Sequence, residues 1–121
     1  FSAMPDDRPP IVTFEAKWMP GQVEDRGTHP IPARRLSHDT RRHLRSYALS
    51  AWSLTGCRDY ARVDFRLDAD GNPFVLEVNA NPDLGPEAGL ARAWCRAGGD
   101  WPGLLLRILA MARGRATSDR R

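Results

Sequence analysis

Tyr60–Asn81 reads YARVDFRLDADGNPFVLEVNAN, two alternating runs on either side of the turn-forming pair Asp70-Gly71. Alternation of this kind marks β-strands, and Asp-Gly between two such runs marks a hairpin. In the first run Ala61, Val63, Phe65 and Leu67 take one face, and Arg62, Asp64, Arg66 and Asp68 take the other. In the second, Phe74, Leu76 and Val78 alternate with Val75, Glu77 and Asn79. A turn centred on Asp70-Gly71, with a loop of two or four residues, sets one unbroken register. It places Asp64 opposite Glu77 and Arg62 opposite Asn79, all four on the polar face. Like charges directly opposed, with Cβ atoms about 5 Å apart, are destabilising. Arg62 or Arg66, open water or a bound divalent cation can neutralise them, and spacing alone does not choose.

Working outward, Ser37 supplies an N-cap to a helix that follows Leu36, a hydrophobic staple. Leu44, Tyr47, Ala48, Ala51, Trp52 and Thr55 recur at helical spacing as its core stripe, and Gly56 fits the position past its end. Beyond the hairpin, Glu87–Ala97 reads as a helix with Pro86 at its first position and Gly98-Gly99 as its stop. Asp100 can cap a last helix with Leu104, Leu105, Ile108, Leu109 and Ala112 inward. Upstream, residues 1–10 form an extended, proline-rich lead-in, and Ile11–Lys17 reads as a short strand. From Trp18 to Pro32 the chain is rich in Gly, Pro and charge, a long loop of the kind that is often functional. Residues 113–121 read as a basic, disordered tail, leaving 11–112 as the folded part. The expected fold is α+β, a small antiparallel β-sheet packed by helices with one polar sheet face uncovered.

The chain of 121 residues, 41% hydrophobic and 27% charged, has the length and composition of one soluble globular domain. Its best apolar run, Leu104–Ala112, is far shorter than the roughly 20 residues of a membrane span and is interrupted by Arg107. No secretory signal opens the chain, and its start at Phe1 suits a piece of something longer. Cys57 and Cys95 form no metal or redox spacing and read as reduced thiols of a cytoplasmic protein. The net charge of +3 comes from Arg113, Arg115, Arg120 and Arg121 against Asp119. Among 18 cationic residues Lys17 is the only lysine, which sets it apart. His29, His38 and His43 lack zinc spacing, and Asp68–Asn72 lacks the later ligands of a calcium loop.

Asp64, Glu77 and Asn79 offer the hard oxygen ligands that Mg²⁺ prefers, and Mg²⁺ usually shares its shell with water and substrate phosphates. Arg62, beside them, is placed to meet an anion. A metal with a fixed guanidinium is common equipment for stabilising phosphate charge, while internal Arg–carboxylate pairing is the commoner reason for such a face.

The stretch from Gly56, GCRDYARVDFRLDADGNPFVLEVNANP, resembles the C-terminal part of ATP-grasp ligases, and most closely their D-alanine–D-alanine ligase branch. The upstream FEAKW is similar to that branch's aromatic-x-Ala-Lys-aromatic motif. The resemblance implies an ATP- and magnesium-dependent (or Mn²⁺-dependent) carboxylate–amine ligase that works through an acyl phosphate. It implies Asp64, Glu77 and Asn79 as metal ligands, and Arg62 as the catalytic residue that stabilises the acyl phosphate and tetrahedral intermediate. It implies Lys17 as a ligand of the terminal ATP phosphate, Trp18 as the lid residue in place of a tyrosine, and Trp18–Pro32 as the lid. The substrates implied are ATP with a small-molecule carboxylate and an amine, such as an amino acid or peptide.

Two substrate-pocket departures accompany the resemblance. Asp83 stands where the family has a glycine that helps form an oxyanion hole. Ala88-Gly89 stands where the family has a serine–leucine pair that holds the second D-alanine. An ATP-grasp fold also needs an N-terminal domain and a central lobe, absent from 121 residues, so negligible ligase activity is expected of the chain alone. The alternatives are a non-catalytic basic domain for nucleic acid or an acidic partner, using Arg34–Arg45 and the tail, and a degenerate ATP-grasp domain used for regulation. The first lacks the aromatic stripe expected of a single-strand binder.

Overall fold

The computed structural model describes residues 11–13, 19, 21, 31–33 and 35–118. The chain divides into two compact units, 1–35 and 36–121. The described residues of the first carry no helix or strand. Most of the expected strand over Ile11–Lys17, the lid over Trp18–Pro32 and the lead-in over 1–10 lie outside the described residues. The second unit runs α1 (His38–Leu54), β1 (Arg62–Leu67), β2 (Pro73–Asn79), α2 (Gly89–Arg96) and α3 (Trp101–Ser118). This is the expected α+β class: an antiparallel two-stranded sheet with α1 packed against it, and α2 packed on α3.

α1 starts where its cap predicts. The Ser37 hydroxyl accepts the Thr40 backbone N–H at 3.0 Å, satisfying one orphan donor of the first turn. Thr40 is buried and donates its own hydroxyl to the Gly71 carbonyl at 3.2 Å, tying the start of α1 to the hairpin tip. At the other end Gly56 takes φ +66, and Cys57 N–H returns to the Trp52 carbonyl, the pattern of a glycine-terminated helix. Of the expected stripe, Leu44, Ala48 and Ala51 are half-buried, while Tyr47 and Trp52 are exposed. A two-stranded sheet is too narrow to cover the whole face.

The hairpin holds the first difference from expectation. Asp68 N–H bonds to the Asn72 carbonyl and Gly71 N–H to the Asp68 carbonyl, so the loop is the three residues 69–71, with Gly71 at φ +84. Three-residue loops of this sort place a left-handed residue last. Pairing from this loop runs Leu67 with Pro73, Arg66 with Phe74 and Phe65 with Val75. A β-bulge then absorbs Leu76, and the pairs become Asp64 with Glu77, Val63 with Val78 and Arg62 with Asn79. The expected register therefore holds for the half that carries the carboxylates and fails by one residue in the half next to the turn. Opposed residues share a face, so Phe74 lies with Asp64 and Glu77, and Val75 lies with Phe65. The simple alternation assigned them the other way round.

α2 begins at Gly89, two residues later than expected, because Pro86 is used in a turn. Ala88 N–H bonds to the Gly85 carbonyl at 3.0 Å, which puts Pro86 at the second position of that turn, where its fixed φ is favoured. The helix ends at Arg96, and Gly98 just beyond it takes φ +97. Asp100 caps α3 as expected, accepting Gly103 N–H at 2.8 Å. α3 runs to Ser118, so residues 113–118 are helix rather than disordered tail. Arg115, on its last turns, pairs with the Asp59 carboxylate in the loop before β1. That long-range pair helps to hold a polar segment whose sequence shows only charge.

The core is thin. Cys57, Ala91 and Leu104, with Pro73 and Pro82, are its buried apolar residues, and no large side chain among the described residues is fully buried. Leu49, Leu54, Leu106 and Leu109 are exposed, more apolar surface than an independent small domain usually shows.

Candidate metal and phosphate site

The site lies on the polar face of the hairpin, on the half beyond the bulge. Strand pairing sets Asp64 against Glu77 and, two rungs away on the same face, Arg62 against Asn79. Arg62 Nε donates to Asp64 Oδ1 at 2.7 Å and an Nη donates to Oδ2 at 2.9 Å, a two-point fork. That hydrogen bond raises the Arg62 pKa further, the charges of Asp64 and Glu77 add to it, and partial burial opposes it. In this structure the awkward pair of carboxylates is thus answered by Arg62. The fork is half-exposed, at 37% and 38% for the two side chains, so solvent reaches it.

Asn79 is oriented as well. Its side-chain oxygen accepts the Asn81 backbone N–H at 3.0 Å, which fixes the amide while one lone pair of that oxygen stays available. Two carboxylates and an amide oxygen suit a hard cation. Among the described residues no cluster of three or more His, Cys, Asp or Glu exists that could hold a metal alone. A donor set this small fits Mg²⁺, which keeps water and phosphate oxygens in its shell, better than an ion needing an all-protein cage.

The first residue of α2 meets the same place. A Cβ added to Gly89 would stand 4.0 Å from Arg62 Cδ and Nη1, so the helix begins against the guanidinium. Ala88 precedes it as a cap without a side-chain hydrogen bond. Asp83 is exposed and turned into its own loop, where Oδ1 accepts Gly85 N–H at 2.8 Å. Trp101 Nε1 donates to the Leu84 carbonyl at 2.8 Å and fixes that loop to the start of α3. Lys17 and Trp18 lie outside the described residues. Alternation gave no sign of Phe74 on the site face, or of Leu76 as the bulged residue. The turn sequence Asp68–Asn72 carried a partial signal, since glycine at the fourth position suits a three-residue loop.

The model of the family described as D-ala D-ala ligase C-terminus matches residues 8–110. The chain belongs to that family. Among relatives of this ligase C-terminal domain, an uncharacterised protein of Sinorhizobium fredii is 36% identical over 106 residues, covering 88% of this chain and 30% of that protein. The D-alanine–D-alanine ligase of a Synechococcus strain is 37% identical over 107 residues, 88% of this chain and 32% of the ligase. The crystal structure of D-alanine–D-alanine ligase from Bacillus anthracis complexed with ATP superposes with a TM-score of 0.66 at 28% identity. It covers 74% of this chain and 32% of that one. The chain therefore spans about a third of the length of these relatives and corresponds to the C-terminal part of the ATP-grasp ligases among them. A non-catalytic basic domain finds no support in this family. No helix among the described residues is long and apolar enough to cross a membrane.

Proposed function

We propose that this chain is the metal- and phosphate-handling end of an ATP-dependent ligase that joins a carboxylate to an amine. The observation that carries the proposal is one face of the hairpin, with Asp64 opposite Glu77, Asn79 opposite Arg62 two rungs on, and Arg62 against the start of α2. Asp64, Glu77 and Asn79 would hold Mg²⁺, or Mn²⁺, which would offset the negative charge of the ATP phosphates. Arg62 supplies a guanidinium for the charge that develops as a substrate carboxylate takes up the terminal phosphate and the amine then displaces it. Lys17 serves the terminal phosphate, and Trp18 closes over it from the loop. Asp83, Ala88 and Gly89 border the amine side, and the missing serine hydroxyl there favours an amine other than D-alanine. The N-terminal and central lobes of the full-length protein complete the nucleotide site, and the setting is cytoplasmic.

The test uses the full-length protein. ADP release that depends on an added amino acid or peptide is expected, and Arg62→Ala lowers kcat by about a hundredfold or more, as loss of a charge-stabilising donor does. Unchanged turnover in that variant refutes the assignment.

A further inference from the structure

Arg62 occupies both oxygens of the carboxylate proposed as a metal ligand. The two residues rise from the same face of one strand, two positions apart, so the fork forms without any movement of backbone. Each carboxylate oxygen has a further lone pair. A dication placed on it would nevertheless stand within a few ångström of a guanidinium of like charge, and the repulsion favours separation. Glu77, directly across, gives the cation a second anchor that the fork does not use. Gly89 keeps space on the other side of Arg62, since even an added Cβ would only reach ordinary contact at 4.0 Å.

We infer that the Arg62–Asp64 fork is a latch on the cation site, resting on the reading of Asp64, Glu77 and Asn79 as metal ligands. Without a cation, Arg62 is the counter-ion of the carboxylates. When a divalent cation binds Asp64 and Glu77 it displaces the guanidinium, which turns toward the first turn of α2. The same side chain is thereby released for substrate charge only after the metal is in place. A half-exposed ion pair is weak enough for this exchange to be reversible.

The test titrates the 121-residue chain with Mg²⁺ alone and follows the Arg62 Nε–H resonance beside the backbone amides of Asp64 and Glu77. The Nε–H signal is expected to move, and its solvent exchange to quicken, with the same apparent affinity as the Asp64 amide. Arg62→Gln should bind Mg²⁺ about three- to tenfold tighter, the size of a partly screened ion pair converted to affinity. Arg66→Gln, on the same strand face but outside the fork, should gain less than about twofold. Equal gains in the two variants overturn the latch in favour of the general field of the face. An Arg62 Nε–H signal that stays put while Asp64 and Glu77 shift also overturns it, and leaves the metal site standing. No response at Asp64 and Glu77 in either the parent or Arg62→Gln overturns both.

Discussion

Replacing Gly71 by alanine should weaken the unit that carries the site far more than a one-methyl change suggests. Gly71 holds φ +84 at the end of the hairpin loop, its carbonyl accepts the Thr40 hydroxyl at 3.2 Å, and an added Cβ would lie 3.2 Å from that same hydroxyl. The left-handed conformation costs a residue with a Cβ about 1–2 kcal/mol. Crowding Thr40, which is buried and whose hydroxyl also meets that of Ser37 at 2.9 Å, adds up to about 1 kcal/mol, the net worth of an ordinary hydrogen bond. The total is about 1–3 kcal/mol. In a unit of this size each kcal/mol moves Tm by about 4–8 °C, so a fall of at least about 4 °C is expected. Thermal and urea unfolding followed by circular dichroism measure it. Gly71→Asn separates the two causes, since asparagine tolerates the left-handed region and keeps only the crowding. A Gly71→Ala chain within about 0.5 kcal/mol of the parent, or asparagine as costly as alanine, refutes the reasoning.

Two further outcomes follow from local geometry. The Asp68 carboxylate accepts the Asn72 side-chain amide at 2.9 Å and the backbone N–H groups of Asn72 and Asp70 at 2.8 and 3.0 Å. The Asn72 amide first, then these backbone donors, hold its pKa below the usual value. A carboxylate depressed on folding stabilises above its unfolded pKa and loses that contribution as pH falls through its folded one, so the hairpin tip loosens below about pH 4. Amide exchange at Asn72 against pH reads this, and Asp68→Asn should flatten the profile; a parent profile that is already flat contradicts it. Gly99 packs against the indole of Trp94, whose Nε1 donates to the Asp100 carbonyl at 2.9 Å. Gly99→Ala would drive that ring out of place, with a loss of about 1–3 kcal/mol and a change in tryptophan emission, and an unaltered spectrum and Tm would contradict the packing.

What the sequence made legible was whatever is decided within a few residues. Ser37, Gly56 and Asp100 act on backbone groups one to four positions away, and each was found at its cap. The opposition of Asp64 and Glu77 was also legible, because both loop lengths considered lead to it. The faces of Phe74 and Val75 were not. They depend on whether the tip closes with three residues or four, a choice settled by Asp68 side-chain bonds and by Thr40 reaching in from α1. The helical course of residues 113–118 was hidden for a similar reason, since Arg115 meets Asp59 across a long stretch of chain. Pro86 misled in a different way, being equally suited to a first helical position and to a turn. At the site itself pattern favoured internal Arg–carboxylate pairing, and the Arg62–Asp64 fork is that pairing; the metal reading came from family resemblance.

The bulge at Leu76 sits between the rungs that bear the carboxylates and the rungs that lead to the tip. In mechanical language it is a slip joint. A four-residue tip with no bulge and a three-residue tip with one both deliver Glu77 opposite Asp64, so an error of one residue at the loop is taken up before it reaches the working end. A change of one residue at the tip around Asp68–Asn72 should therefore leave the carboxylates in phase. Insertions on the far side of the joint, between Glu77 and Asn79, have no such tolerance, because nothing there remains to absorb them.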